Sequence, residues 1–254
     1  KDLVRIVGAH NGLTAKLVEL NGFDGVWASG LEVSASNAVP DANILTMSDY
    51  LAAAASMNDA TSIPVVVDCD TGYGNSMNVI RMVKKFEDAG IAAVCMEDKK
   101  FPKTNSLLEG GKQELAPIAE FVGKIMAAKN AQESDDFMVI ARVEALIAGW
   151  GQEEALKRAR AYADAGADAI FIHSKKSDPK EIEDFLKAWD NYKPVVLVPT
   201  NYPSFTEAQM KQYGVKLVIY ANHGIRTIVK HVNETLAEIK EKGITEIDSK
   251  IASV

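Results

Sequence analysis

The sequence lacks the features that mark membrane, secreted and zinc-binding proteins. It has no run of about 18 apolar residues, so we expect no membrane span. Its opening residues lack the charged and then apolar pattern of a secretory signal, and we therefore expect a cytoplasmic protein. The two cysteines, Cys69 and Cys95, have no CxxC spacing, which argues against a zinc site. Strand alternation turns Cys69 outward and Cys95 inward, so we expect buried thiols and no disulfide.

The sequence also has fewer basic residues than acidic ones. Among 254 residues, 28 Lys and Arg stand against 35 Asp and Glu, and the formal net charge is −7. Nucleic acid is not an expected partner, because binding it requires a concentrated basic face. An anionic substrate would have to be held by local cations or by a metal. The apolar fraction of 47% and the charged fraction of 25% are typical of a folded globular protein and exclude disordered and fibrous classes.

Short β-branched apolar runs alternate with longer helical patterns along the chain. Eight runs are predicted as buried strands: Val4–Ala9, Gly25–Ser29, Pro64–Asp68, Ala93–Glu97, Phe137–Val143, Ala169–His173, Val195–Val198 and Leu217–Tyr220. A helical pattern follows each of them. Eight such β/α units predict a single-domain (β/α)₈ barrel over residues 1–254. A doubly wound open sheet is the alternative, but no G-x-G-x-x-G motif follows the first strand.

Carboxylates stand at the ends of two neighbouring strands, where a barrel of this kind carries its chemistry. Asp68 and Asp70 end the third strand and, being two residues apart, are predicted to share a face. Glu97 ends the fourth strand. Three carboxylates at one mouth repel each other unless a cation lies between them. All-oxygen ligation suits Mg²⁺, or alternatively Mn²⁺, with one direct carboxylate and the others holding metal-bound waters. Simple solvation of the barrel rim is the alternative.

Cationic groups end the next two strands. Arg142 can grip a carboxylate or a phosphoryl group with two hydrogen bonds, and His173 can donate to an oxyanion or titrate. The alternatives are that Arg142 only pairs with Glu144 and that His173 is a satisfied histidine of the rim. Next to an acidic metal cluster we favour a functional role for both.

The one long irregular stretch runs from residue 98 to 115 and follows the strand that ends in Glu97. Loops of this length in compact barrels are commonly lids. Its glycine pair, Gly110 and Gly111, predicts a hinge, and Lys103 and Asn105 supply polar groups at its tip. We therefore expect a mobile lid; a disordered basic loop is the alternative.

Six segments carry a resemblance to a known family: AHNGLTAKLVELNGFDGVWASGLEVSA, DCDTGYGN, MEDKKFPKTNSL, VIARVEALIAGWG, ADAIFIHSKK and VLVPT. They run from about Gly8 to about Asn222. The most specific motif is Glu97-Asp98-Lys99 followed, after five residues, by Asn105-Ser106. The chain resembles the isocitrate lyase/phosphoenolpyruvate mutase superfamily and, within it, the mutase branch.

The resemblance implies an isomerase that moves the phosphoryl group of phosphoenolpyruvate from oxygen to C3. The product, phosphonopyruvate, contains the P–C bond of phosphonate biosynthesis. The resemblance also implies that Asp68 ligates Mg²⁺ directly, while Asp41, Asp70 and Glu97 hold the waters of the metal. It further implies a homo-oligomer, a dimer of dimers.

The same resemblance assigns the contacts of the substrate. Trp27 would wall the pocket, and Ser29 with the backbone amides of Gly30 and Leu31 would hold the substrate carboxylate. Ser106 belongs to the same substrate-binding set. The migrating phosphoryl group would be held by four side chains, those of Lys103, Asn105, Arg142 and His173.

Three alternative functions remain beside the isomerase. The lyase branch of the superfamily carries a cysteine in its lid, where this chain has only Lys-Thr-Asn-Ser at residues 103–106, which argues against C–C cleavage. Phosphonopyruvate hydrolases, which cleave the C–P bond to pyruvate and phosphate, typically carry threonine at the position of Asn105. A non-catalytic barrel is the third alternative, and the intact set of polar residues argues against it.

Overall fold

The computed structural model describes residues 1–106, 113–245 and 247–252, and it contains a closed barrel of eight parallel strands. The strands are β1 Val4–Ala9, β2 Gly25–Ala28, β3 Val65–Asp68, β4 Ala93–Glu97, β5 Met138–Val143, β6 Ala169–Ile172, β7 Val195–Leu197 and β8 Leu217–Tyr220. Each strand pairs with the next in the chain, and β1 closes on β8 in a register that runs from Val4 opposite Leu217 to Val7 opposite Tyr220. The predicted barrel is confirmed, and each predicted strand end lies within one residue of the observed end.

Nine helices surround the barrel in the described part of the chain. They are α1 Gly12–Leu20, α2 Gly30–Ser36, α3 Met47–Ala60, α4 Ser76–Asp88, α5 Ile118–Ala131, α6 Gly151–Asp164, α7 Lys180–Trp189, α8 Glu207–Gln212 and α9 His223–Lys242. Within the described ranges, no helix is long and apolar enough to cross a bilayer. The predicted hinge glycines, Gly110 and Gly111, lie outside the described residues.

The sequence pattern misses α2 because this helix has neither a preceding loop nor a helical apolar period. It starts directly after β2, where the Ser29 side chain accepts a hydrogen bond from Glu32 N and so caps the first turn. Only seven residues follow, and they include glycine and two serines, which are poor helix formers. This helix therefore forms because of its cap and its tertiary contacts.

Apolar side chains form two layers, as expected for a barrel wrapped by helices. In β4 the alternation is direct, since Cys95 packs inside the barrel while Val94 and Met96 pack against the helices. Cys69 lies in the outer layer, and both thiols are free and buried. The predicted orientations of Cys69 and Cys95 are confirmed.

A buried carboxylate fixes the ends of β4 and β5 to the surrounding helices. Asp98 Oδ1 accepts a hydrogen bond of 2.9 Å from Glu144 N. Its Oδ2 accepts hydrogen bonds from Arg158 Nη1 at 2.9 Å and from the Tyr162 hydroxyl at 2.8 Å. A buried carboxylate is tolerated only with such partners. The strand ends that carry Glu97 and Glu144 are therefore held in a fixed relation to α6.

Candidate active site

A cleft, which we name the cavity, opens at the carboxyl ends of the strands, with about 660 Å³ of empty space when the solvent at its mouth is included. Most of the residues predicted for the site line it: Trp27, Ser29, Leu31, Asp41, Asp68, Lys103, Asn105, Ser106, Arg142 and His173. The other three lie beside or beneath it. A Cβ atom on Gly30 would lie 3.1 Å from Asp68 Oδ2, and Asp70 and Glu97 are buried below the cavity floor. The structure therefore brings all the predicted residues together.

Asp68 and Asp70 meet for a different reason from the predicted one. The strand ends at Asp68, so the two residues do not share a strand face. Asp70 instead adopts the left-handed backbone conformation, with φ of 50°, and turns its chain back so that Asp70 N lies 3.3 Å from Asp68 Oδ1. Both side chains then approach Gly30, where an added Cβ would lie 3.1 Å from Asp68 Oδ2 and 3.4 Å from Asp70 Oδ1, so that even an alanine would be tightly packed.

Three buried carboxylate oxygens at this end of the barrel lack a hydrogen-bond donor among the described residues: Asp41 Oδ1, Asp70 Oδ1 and Glu97 Oε1. Lys103 Nζ lies 2.8 Å from the Asp41 oxygen and 2.5 Å from the Asp70 oxygen, so charge is partly balanced although neither contact has hydrogen-bond geometry. Buried acceptors without donors are costly. Metal-bound water could satisfy all three.

The pKa values of the acid cluster also indicate that its negative charge is not fully balanced. Burial raises the pKa of Asp68, and it raises that of Asp70 to about 7, with the neighbouring carboxylates adding to the effect and Lys103 opposing it. Burial alone would lower the pKa of Lys103, but Asp70, Glu97 and the other carboxylates outweigh it and hold that pKa well above its usual range. The cluster is therefore short of positive charge.

The donor set fits Mg²⁺ held largely through water. Within the described ranges, no three His, Cys, Asp or Glu side chains are arranged as direct ligands of one ion. Asp68 lines the cavity and Asp70 and Glu97 are buried near it, and carboxylate oxygens suit Mg²⁺, which keeps several of its waters. The charges agree in sign, because the carboxylates of the cluster (Asp41, Asp68, Asp70, Glu97 and Glu144) outnumber its cations (Lys99, Lys103 and Arg142). A divalent ion would offset this excess.

Asp41 was found only through the family resemblance. It lies in the loop between α2 and α3, away from any strand end, and its neighbours give no local pattern. In the structure its Oδ2 accepts a hydrogen bond of 3.0 Å from Asn105 Nδ2, so this loop reaches the tip of the 98–115 segment.

The cationic side of the cavity is organised by Glu144, whose side chain is fully buried. Its Oε1 accepts a hydrogen bond of 2.6 Å from Arg142 Nε and lies 2.8 Å from His173 Nδ1. Its Oε2 accepts a hydrogen bond of 2.7 Å from Ser106 Oγ and lies 3.2 Å from Lys99 Nζ. Arg142 thus pairs with Glu144 and also lines the cavity. Residue patterns gave Glu144 only as a partner of Arg142 and did not single out Lys99.

Charge compensation around Glu144 is reflected in its pKa. Burial alone would raise it, but Arg142, Lys99 and His173 outweigh burial and hold the pKa of Glu144 well below its usual value. Burial and Arg142 lower the pKa of His173 against the opposing effect of Glu144, so its imidazole is neutral at neutral pH. Since His173 Nδ1 faces Glu144 and Arg142 at 2.8 Å each, Nε2 is the ring nitrogen that can meet a ligand.

In its described part, the 98–115 segment contributes Lys103, Asn105 and Ser106 to the lining of the cavity. An antiparallel bridge between Lys99 and Leu115 joins its two ends. Lys99 Nζ donates hydrogen bonds to Thr104 O at 2.9 Å and to Ser106 Oγ at 2.5 Å. Lys103 is only 5% exposed. We name residues 103–106 the lid segment; its mobility stays a prediction.

Replacement of Glu144 should reveal how much this carboxylate stabilises the fold. Glu144→Gln keeps the shape but leaves buried cations without their counter-charge, so we expect the free energy of unfolding in urea to fall by about 3–5 kcal/mol at neutral pH. Because the folded pKa lies below the ordinary 4.5, the stabilisation is present above that value and is lost as the pH falls through the folded pKa.

Glu114→Gln is the matched control for this measurement. Glu114 pairs with Lys100 at 3.1 Å, and its side chain is 64% exposed, so we expect a change below about 1 kcal/mol. Equal effects of the two substitutions would contradict the central role of Glu144.

Comparisons with known proteins agree with this geometry. A family model described as phosphoenolpyruvate phosphomutase matches residues 1–240. The phosphoenolpyruvate phosphomutase of Tetrahymena pyriformis is 52% identical over 255 residues, which cover 100% of this chain and 85% of that protein. A crystal structure of phosphoenolpyruvate phosphomutase from Streptomyces platensis subsp. rosaceus superposes with a TM-score of 0.97 at 55% identity, covering 99% of this chain and 88% of that one.

A crystal structure of phosphonopyruvate hydrolase in complex with oxalate and Mg²⁺ is also similar. Its TM-score is 0.93 at 51% identity, and the match covers 99% of this chain and 87% of that one. Two activities are therefore represented among close relatives with the same barrel. By the extent of the family match and the identity to its members, this chain belongs to the phosphoenolpyruvate phosphomutase family.

Proposed function

We propose that this chain is an isomerase that converts phosphoenolpyruvate and phosphonopyruvate into each other. In the forward direction the bond from phosphorus to the enol oxygen breaks and a bond from phosphorus to C3 forms, with no other reactant. The observation that carries the proposal is Asn105 at the cavity, in the position where hydrolases of the superfamily typically have threonine. The phosphonate product lies uphill, so a following step must consume it.

The two halves of the cavity suit the two halves of the substrate. We assign the pyruvyl part to the β2 end, where Ser29 and the amides of Gly30 and Leu31 would hold the carboxylate against Trp27. We assign the phosphoryl part to the opposite half, which is lined by Lys103, Asn105, Arg142 and His173. Ser106 joins this half through its hydrogen bonds with Glu144 and Arg142.

Phosphoryl transfer passes through a loose, metaphosphate-like state, so catalysis is mainly positioning and charge stabilisation. Here the lysine and arginine side chains would balance the charge of the phosphoryl oxygens, and the Asn105 amide would donate a hydrogen bond without acting as a base. Water must be kept out, because it would capture the phosphoryl group and give phosphate and pyruvate. The lid segment, which lines the cavity, supports this exclusion.

Mg²⁺ is the proposed cofactor, and Mn²⁺ is a second ion with the same preference for oxygen. Asp68 would hold the ion directly, and Asp41, Asp70 and Glu97 would hold its waters. When bound, the ion stabilises negative charge on the oxygens of the pyruvate enolate. The Mg²⁺ in the hydrolase structure supports this proposal.

We also propose a homo-oligomer, a dimer of dimers, in the cytoplasm. Val229, Val232 and Leu236 follow helical spacing along α9 and are 55%, 49% and 57% exposed, an apolar row that suits a partner chain. The two free thiols fit a reducing compartment. Light scattering that gave the mass of a single chain at micromolar concentration would contradict the oligomer.

The reaction itself can be followed by phosphorus NMR. We expect phosphonopyruvate, incubated with the protein and Mg²⁺, to give phosphoenolpyruvate with little inorganic phosphate. Phosphate and pyruvate as the main products would instead assign the chain to the hydrolases. No conversion at all would favour a non-catalytic barrel.

Asn105→Ala tests the residue that separates the two activities. Removal of one donor to a developing oxyanion costs about 10²–10³ in turnover in other enzymes, and we expect a loss of that size with Mg²⁺ affinity little changed. Asn201→Ala is the control, since Asn201 is an asparagine that lines the same cavity but lies outside the proposed phosphoryl-binding set. Full activity of Asn105→Ala would show that this residue only packs.

Asp68→Ala tests the metal. We expect loss of activity and weaker Mg²⁺ binding in calorimetry, whereas the free energy of unfolding should not fall, because burial already disfavours this carboxylate. Asp88→Ala, at a side chain that is 63% exposed on α4, should behave like the wild type. Wild-type activity that persists in EDTA would contradict the metal assignment.

A further inference from the structure

Asn43 lies at the junction of three segments that otherwise belong to different parts of the chain. Its side-chain Nδ2 donates a hydrogen bond of 2.7 Å to Asp70 Oδ2, at the carboxyl end of β3. Its Oδ1 accepts a hydrogen bond of 2.5 Å from the backbone amide of Lys103, the first residue of the lid segment. One amide group therefore joins the α2–α3 loop, the acid cluster and the lid segment.

The chemistry of the two partners fixes the orientation of this amide. A carboxylate oxygen can only accept, so the NH₂ group must face Asp70, and a backbone N–H can only donate, so the carbonyl oxygen must face Lys103. An ionised carboxylate at position 43 could not satisfy both partners in this way, because it has no hydrogen to donate to Asp70. Asparagine also tolerates the left-handed backbone of this residue, with φ of 56°.

These contacts form a closed ring of three residues. Asn43 binds one oxygen of Asp70 and the main chain of Lys103, while the ammonium group of Lys103 lies 2.5 Å from the other oxygen of Asp70. Local stabilisation of the loop does not explain this, because the partners of Asn43 lie 27 and 60 residues away in sequence.

We propose that Asn43 is a positioning residue that latches the lid segment onto the acid cluster and so keeps water out of the phosphoryl half of the cavity. Only the effect on water rests on the proposed function; the role of Asn43 in holding the lid segment does not. Asn43 is not among the residues that line the cavity, and it meets the proposed phosphoryl ligand Lys103 through the backbone of that residue. Its loss should therefore change the closure of the lid segment and the fate of the phosphoryl group more than substrate recognition.

Asn43→Gly removes the side chain and keeps the left-handed backbone free of strain. Lys103 is 5% exposed, so trypsin can cut after it only when the lid segment opens. Loss of one hydrogen bond to this segment should raise the rate of that cut about tenfold in the absence of substrate, as measured by mass spectrometry. Asn191→Gly is the matched control: Asn191 is also left-handed, with φ of 54°, and lies after α7. It should leave the rate unchanged. An unchanged rate in Asn43→Gly would overturn the latch.

A second measurement tests the effect on water. In the phosphorus NMR assay, Asn43→Gly should raise the share of inorganic phosphate among the products several-fold over the wild type, with Asn191→Gly again unchanged. A product ratio like that of the wild type would overturn water exclusion by the latch. If the wild type itself released mainly phosphate, the proposed function would fail, whereas the trypsin measurement would still decide whether Asn43 holds the lid segment.

Discussion

The buried carboxylate of Glu144 is the interaction on which the catalytic half of the barrel depends. It gathers a guanidinium, an ammonium, an imidazole and a hydroxyl within 3.2 Å, and these groups come from β5, from the start and the tip of the 98–115 segment, and from the end of β6. Three groups with positive or latent positive charge could not be buried together without it. The carboxylate therefore allows a cationic phosphoryl pocket to exist inside a protein.

The cationic and acidic halves of the site interact electrostatically. Arg142 Nε lies 3.4 Å from Glu97 Oε2, and Lys103 from the lid segment reaches the carboxylates of Asp41 and Asp70. Each half thus supplies counter-charge for the other, and the remaining negative surplus is what a divalent ion would balance.

The barrel was predictable because its information is local. Buried parallel strands can be read from the sequence as short apolar runs. The charged residues that follow these runs lie at one end of the barrel because of its topology. This reasoning placed Asp68, Glu97, Arg142 and His173 at that end, where the structure has them. Loops carry no such period. Asp41 required the resemblance, as did the motif that contains Lys99, and Asn43 was missed because its partners lie 27 and 60 residues away in sequence. Asp70 was placed correctly for the wrong reason, since a left-handed residue and not strand alternation sets its direction.

The direct junction of β2 and α2 has a consequence for how this family diversifies. Ser29 directly follows β2 and is also the cap of α2, so no loop of variable length separates the strand from the helix. The half of the cavity assigned to the pyruvyl group is thus built from rigid elements, whereas the half assigned to the phosphoryl group includes a long excursion between β4 and α5. Residues in that excursion can be exchanged while the rigid half stays intact. New reactions would then arise by changes in the lid segment, without rebuilding the barrel.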